Sequence, residues 1–173
     1  MEAEKVIEIY ELLNRYNIEI IIDGGWAVDA LLGEQTRKHE DLDIAIDHND
    51  VPKFKSILSK QGFIDFPRDD SKDYNFVMAD SVGNKIDVHS FLFDDHGNCI
   101  YGITYQKDNF LGIGKINGIE VKCIALQDLV KFHTGYEVDE IDYHDIQLLC
   151  EKFGLLIPKD YDKFINVNGS GNL

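Results

Sequence analysis

Two aspartates stand two residues apart in the stretch Asp41-Leu42-Asp43-Ile44-Ala45-Ile46-Asp47. Residues i and i+2 of a strand share a face, so Asp41 and Asp43 project together while Leu42, Ile44 and Ile46 project the other way. Two adjacent carboxylates repel unless a cation lies between them. A hard divalent ion such as Mg2+ suits the position, since it prefers oxygen ligands and commonly takes one or two carboxylates plus substrate phosphates. The competing reading is a solvated acidic strand face, and in a chain with 32 acidic residues the pair alone does not choose. Asp87 lies in a second alternating stretch, Ile86-Asp87-Val88-His89. If the two strands are neighbours with their polar faces aligned, Asp41, Asp43 and Asp87 make a site for one or two metal ions.

Upstream, Gly24-Gly25 follows an apolar run and precedes a helical pattern. Glycine lets a backbone approach phosphate closely, and helix N-terminal N–H groups attract anions. A simple tight turn is the other reading. Arg37, Lys38 and His39 immediately precede the acidic strand, where positive charge can steady phosphates or balance Asp41 and Asp43. Glycines first and metal ligands second is a sensible order for handling a nucleoside triphosphate.

These groups need elements to position them. Val6, Ile9, Leu12 and Leu13 recur at helical spacing and predict a helix over 2–16. The run 18–22 reads as a buried strand, 26–32 as a short helix ending at Gly33, and 41–47 as a strand with one apolar face. A helix over 49–60 carries Pro52 in its first turn. Strands are expected at 63–66, 74–79 and 85–91, and a hairpin of 112–115 and 119–124 turns at Asn117-Gly118. Helices follow at 126–133 and 141–153, and the Asn/Gly/Ser-rich stretch from 165 on is expected to fray. The order predicts an α+β fold, a mixed sheet with helices packed on it and a helical C-terminal part. The expected division is a core over 1–125, a helical part over 126–165 and a flexible tail over 166–173.

Charge narrows the partners. The net charge is −15 over 173 residues, which repels DNA or RNA and attracts a cationic small molecule. No apolar run approaches the roughly 20 residues that span a bilayer, so no membrane association is expected. The acidic start lacks an apolar secretory core, which makes the cytoplasm the expected location. Cys99, Cys123 and Cys150 are far apart with no CxxC pair, so reduced thiols are expected rather than a disulfide framework or zinc site.

Taken together, Gly24-Gly25-Trp26-Ala27-Val28-Asp29 and Thr36-Arg37-Lys38-His39-Glu40-Asp41-Leu42-Asp43 resemble the signature of small antibiotic nucleotidyltransferases of the DNA polymerase β-like superfamily. The resemblance spans about 20–150 and fits two subgroups, lincosamide nucleotidyltransferases and aminoglycoside 2″-nucleotidyltransferases. His89, Phe132-His133-Thr134-Gly135-Tyr136 and Asp142-Tyr143-His144-Asp145-Ile146 look like the lincosamide group. The glycine-to-aspartate stretch is as close to the aminoglycoside group, and the negative charge suits a polycation. The resemblance implies a polymerase β-like fold, with Asp41 and Asp43 holding Mg2+ and Asp87 completing the site or taking the proton of an attacking hydroxyl. It also implies ATP or another NTP as co-substrate, with Gly24, Gly25, Arg37 and His39 around its phosphates. His89, Tyr101, His133, Tyr136 and Asp142 become candidates for the acceptor, a small hydroxylated amine. A capping role for His133 and a solvated surface over 137–145 are the competing readings. A homodimer is expected by analogy. The alternative function is a regulatory or toxin–antitoxin nucleotidyltransferase that modifies a protein.

Overall fold

The computed structural model describes residues 1–168. The chain divides into two compact units, residues 1–125 and the residues from Leu126 on.

In the first unit, α1 (Ala3–Arg15) buries Val6, Ile9 and Leu13, the stripe its spacing predicts. The wholly buried β1 (Ile20–Ile22) leads into α2 (Gly24–Leu32), which ends at Gly33 in the left-handed conformation (φ +76°). Then come β2 (Asp41–Asp47), α3 (Val51–Ser59), β3 (Ile64–Phe66), β4 (Asn75–Ala79), β5 (Lys85–Phe93), β6 (Cys99–Gly102), β7 (Gly112–Ile116) and β8 (Ile119–Cys123). The sheet runs β3-β4-β5-β2-β1-β8-β7, with β6 also paired to β5. It is mixed: β2 and β5 run parallel, as do β1 and β8, and the other pairs are antiparallel. Leu42, Ile44, Ile46, Ile86 and Val88 are all fully buried on one face of β2 and β5. That burial, about 1.5–3 kcal/mol for each full side chain, fixes which face carries the aspartates.

Two hairpin loops use the same device. In Asp80-Ser81-Val82-Gly83-Asn84 the Asp80 carboxylate accepts from the N–H groups of Val82 and Asn84 and from the Asn84 side chain. In Asp94-Asp95-His96-Gly97-Asn98 the Asp94 carboxylate does the same with His96 and Asn98. These bonds fix the turns on either side of β5, and the second sets up β6, a strand the sequence pattern does not predict.

The second unit holds α4 (Leu126–Phe132), α5 (Glu140–Phe153) and α6 (Asp162–Asn168). Helix α6 takes in residues 165–168 of the stretch expected to fray, and residues 169–173 lie outside the described residues. Among the described residues no helix is long and apolar enough to cross a membrane. Cys99, Cys123 and Cys150 are all free.

Helix α2 is seated on β7 through Gly114. A Cβ there would stand 2.4 Å from the carbonyl carbon and oxygen of Ala30, both backbone atoms with no room to move. Gly114→Ala is therefore expected to lower unfolding free energy by about 1–3 kcal/mol, measured by urea denaturation.

Candidate functional site

The parallel pairing of β2 with β5 sets Asp43 directly beside Asp87 and Asp41 beside Lys85. Neighbouring strands lie about 4.8 Å apart, so Asp41, Asp43 and Asp87 gather on one face. Asp87 is 8% exposed, and Asp41 and Asp43 are half-buried. His89 follows on the same face, its Nε2 3.7 Å from Asp87 Oδ1.

A fourth carboxylate, which the motif does not include, comes from the end of β1. Asp23 caps α2, its Oδ1 accepting from the Gly24 N–H at 2.8 Å, while its own N–H donates to the Asp43 carbonyl at 2.9 Å. Tyr105 donates its hydroxyl to Asp23 Oδ2 at 3.1 Å. Burial and this carboxylate push the Tyr105 phenol far above its ordinary range. The position of Asp23 before two glycines was a readable N-cap signal.

The glycine pair makes room for side chains of the site itself. At Gly24 (φ +56°), a Cβ would lie 2.2 Å from Asp43 Oδ2, so any other residue is strained in its backbone and displaces the Asp43 carboxylate. At Gly25 it would lie 2.2 Å from Arg37 Nη2 and 2.7 Å from His39 Nδ1. Arg37 is thereby held next to the first turn of α2, with its charge acting on Asp43.

His39 sits deeper than its place in a basic patch suggests. It is 6% exposed, its Nε2 lies 2.5 Å from Asp29 Oδ2, and its ring packs 4.4 Å from that of Trp26. Asp29 Oδ1 accepts from the Thr36 N–H and hydroxyl at 3.0 and 2.7 Å, and the N-terminal ammonium donates to the His39 carbonyl. These contacts brace the loop between α2 and β2 from beneath, which makes His39 a support for Arg37 and Gly25.

Arg68, absent from the sequence expectations, covers Asp87. Its Nη1 donates to Asp87 Oδ2 at 2.7 Å and its Nη2 to Oδ1 at 3.4 Å, with Asn75 Oδ1 also 3.3 Å from Nη2. Nothing in the spacing of Phe66-Pro67-Arg68-Asp69-Asp70 announces this role.

The acceptor candidates separate. Tyr101 pairs with Leu92 of β5 and so shares the Leu92 face, opposite that of Asp87 and His89. Its hydroxyl donates to Asp73 at 2.5 Å. That face follows from the pairing of β6, which the sequence pattern does not reveal. His133, Tyr136 and Asp142 belong to the second unit. There the His133 ring Nδ1 donates to the Leu129 carbonyl at 2.8 Å, and Tyr136 donates to Asp142 Oδ1 at 2.8 Å. Asp142 Oδ2 also accepts from the Asp139 N–H, closing a reciprocal cap at the start of α5.

Electrostatically the first-unit site is strained. Burial, and then the charges of Asp41, Asp23 and Asp87, hold the Asp43 carboxyl well above its ordinary range; Arg37 offsets part of this. The donor set is all oxygen, as a hard divalent cation requires, and Arg68 places a cation on one member of it. The chemistry of these donors, Asp41, Asp43 and Asp87, suits such an ion. Among the described residues, no group of three or more His, Cys, Asp or Glu side chains is placed to hold a metal ion as it stands.

The family description of aminoglycoside-2″-adenylyltransferases matches residues 5–149. A 2″-aminoglycoside nucleotidyltransferase of Klebsiella pneumoniae is 43% identical over 164 residues, 89% of this chain and 90% of that protein. A lincosamide resistance protein of Staphylococcus haemolyticus is 26% identical over 153 residues, 84% of this chain and 92% of the relative. The crystal structure of the lincosamide antibiotic adenylyltransferase LnuA, lincomycin-bound, superposes with a TM-score of 0.73 at 25% identity, covering 84% of this chain and 94% of that one.

A carboxyl held above its ordinary range binds its proton more tightly folded than unfolded, so its ionisation costs stability as pH rises above the ordinary value of 3.8. Asp43→Asn is therefore expected to melt a few degrees higher than the parent at neutral pH, the gap closing as the pH falls toward the carboxylate range. Scanning fluorimetry across about pH 4–8 checks this. If Asp43 is a ligand, a divalent ion is expected to raise the melting temperature of the parent and not of the variant.

Proposed function

The chain belongs to the aminoglycoside-2″-adenylyltransferase family, and from that premise we propose that it transfers AMP from ATP to a hydroxyl of a lincosamide or aminoglycoside, thereby conferring resistance. It is a nucleotidyltransferase; the nucleotide, the ion and the acceptor are the proposed part. The observation that carries the reading is the register of β2 and β5, which sets Asp43 beside Asp87 with Asp41 on the same face.

Asp41, Asp43 and Asp87 would hold Mg2+, which would lower the charge barrier to attack on a triphosphate. Arg37, held against Gly25, lies where it can take phosphate charge. Asp87 accepts the proton of the attacking acceptor hydroxyl. The hydroxyl oxygen bonds to the α-phosphorus as the bond to the β-phosphate bridging oxygen breaks, and pyrophosphate leaves. His89, 3.7 Å from Asp87, lies beside that proton's destination. A net charge of −15 supports a cationic acceptor and disfavours nucleic acid. Both named antibiotic classes are hydroxylated amines.

Pyrophosphate release is measured with Mg2+, each NTP in turn, and a panel of lincosamides and aminoglycosides. The expected outcome is release with ATP and at least one antibiotic; none with any acceptor overturns the function. Asp87→Asn is expected to lower kcat by about 10²–10⁴-fold with the antibiotic KM little changed. Release that survives Asp41→Asn overturns the metal assignment.

A further inference from the structure

Arg68 sits on the carboxylate that the proposed chemistry needs free. Both Asp87 oxygens are engaged by its guanidinium, at 2.7 and 3.4 Å. An arginine fork and a divalent ion compete for the same lone pairs. A carboxylate so covered is also poorly placed to take a proton from a hydroxyl.

The way Arg68 is held suits departure. Its backbone is pinned in a local turn, its N–H donating to Ser71 Oγ at 2.8 Å and its carbonyl accepting from the Ser71 N–H at 3.1 Å. The following residues are tied by the bridge between Lys72 and Asn75. The side chain is bound less completely. It is 34% exposed, and among the described residues its buried Nε has no hydrogen-bond partner, although it forms an ion pair with Asp70 Oδ1 at 3.4 Å. Pro67, Ser71, Lys72 and Asp73 line a groove of about 280 Å³, so this segment is not close-packed along its length. A rotation of the arginine side chain, with no movement of the backbone, frees Asp87.

We propose that Arg68 is a tethered counter-ion that neutralises Asp87 when no metal–nucleotide is bound, and that on metal–nucleotide binding its guanidinium leaves Asp87 for a phosphate oxygen of the triphosphate. Arg37 and Arg68 then flank the carboxylates, the first on the Asp43 side and the second on the Asp87 side. Without Arg68 the aspartates would stand with little relief from mutual repulsion; with it, ion binding must first break the pair. This rests on the metal assignment proposed above.

The test is Mn2+ binding without nucleotide, followed by electron paramagnetic resonance on the parent, Arg68→Gln and Asp43→Asn. Removing the competitor is expected to tighten Mn2+ binding by about tenfold in Arg68→Gln, because the binding-competent fraction rises. Asp43→Asn weakens it. An Asp43-dependent site whose affinity is unmoved or weakened in Arg68→Gln overturns the role of Arg68 alone. Binding indifferent to Asp43 overturns the metal assignment and this proposal with it. A second measurement needs no variant: the chain has three arginines, Arg15, Arg37 and Arg68, so guanidinium resonances of the unaltered protein are few. The Arg68 resonance is expected to shift when Mg2+ and a non-hydrolysable triphosphate are added. No shift at saturation overturns the proposal.

Discussion

Mutual repulsion among Asp23, Asp41, Asp43 and Asp87 is the constraint around which the first unit is arranged. Asp43 feels it most, its carboxyl being desolvated and having the other three as its principal unfavourable neighbours. Holding these groups together takes work from elsewhere. The apolar backs of β2 and β5 supply it: Leu42, Ile44, Ile46, Ile86 and Val88 are fully buried, and their burial forces the alternate residues onto the opposite face. Gly24 yields the space that the Asp43 carboxylate occupies. Arg37 and Arg68 bring compensating charge from two different loops.

The bracing beneath Arg37 shows how far this arrangement reaches. Gly25 has no side chain because Arg37 and His39 fill that space. His39 is fixed by Asp29, Asp29 by Thr36, and Trp26 covers the ring. A buried pair of this kind is weak evidence for stability and better evidence for a fixed geometry. Here it orients the loop that delivers Arg37. The glycine-to-aspartate motif therefore describes a packed unit, in which each residue type answers a steric or electrostatic demand of another.

Much of this was legible in the sequence. The alternation around Asp41 and Asp43, and again around Asp87, reported both strands and the face each aspartate takes, because a half-buried strand writes its period into the chain. Their register was not legible, since pairing between residues some forty positions apart is decided by the packing of the whole sheet. The same limit applies to Tyr101, whose face depends on the pairing of β6 with β5. Arg68 carried no signal at all: it sits in an irregular loop, and only the fold brings it to Asp87. His39 was readable as a basic residue near the site, but its burial against Asp29 needed the conformation of the loop.

We propose that the carboxylates gathered on β2 and β5 hold a divalent ion together with a nucleotide. Crystals grown with Mn2+ and a non-hydrolysable ATP analogue test it through anomalous scattering from the manganese. The predicted result is an anomalous peak in contact with Asp41 and Asp43 beside Asp87, lost in Asp43→Asn. A peak at any other group of residues, with nucleotide bound and these aspartates still paired only to protein, would contradict it.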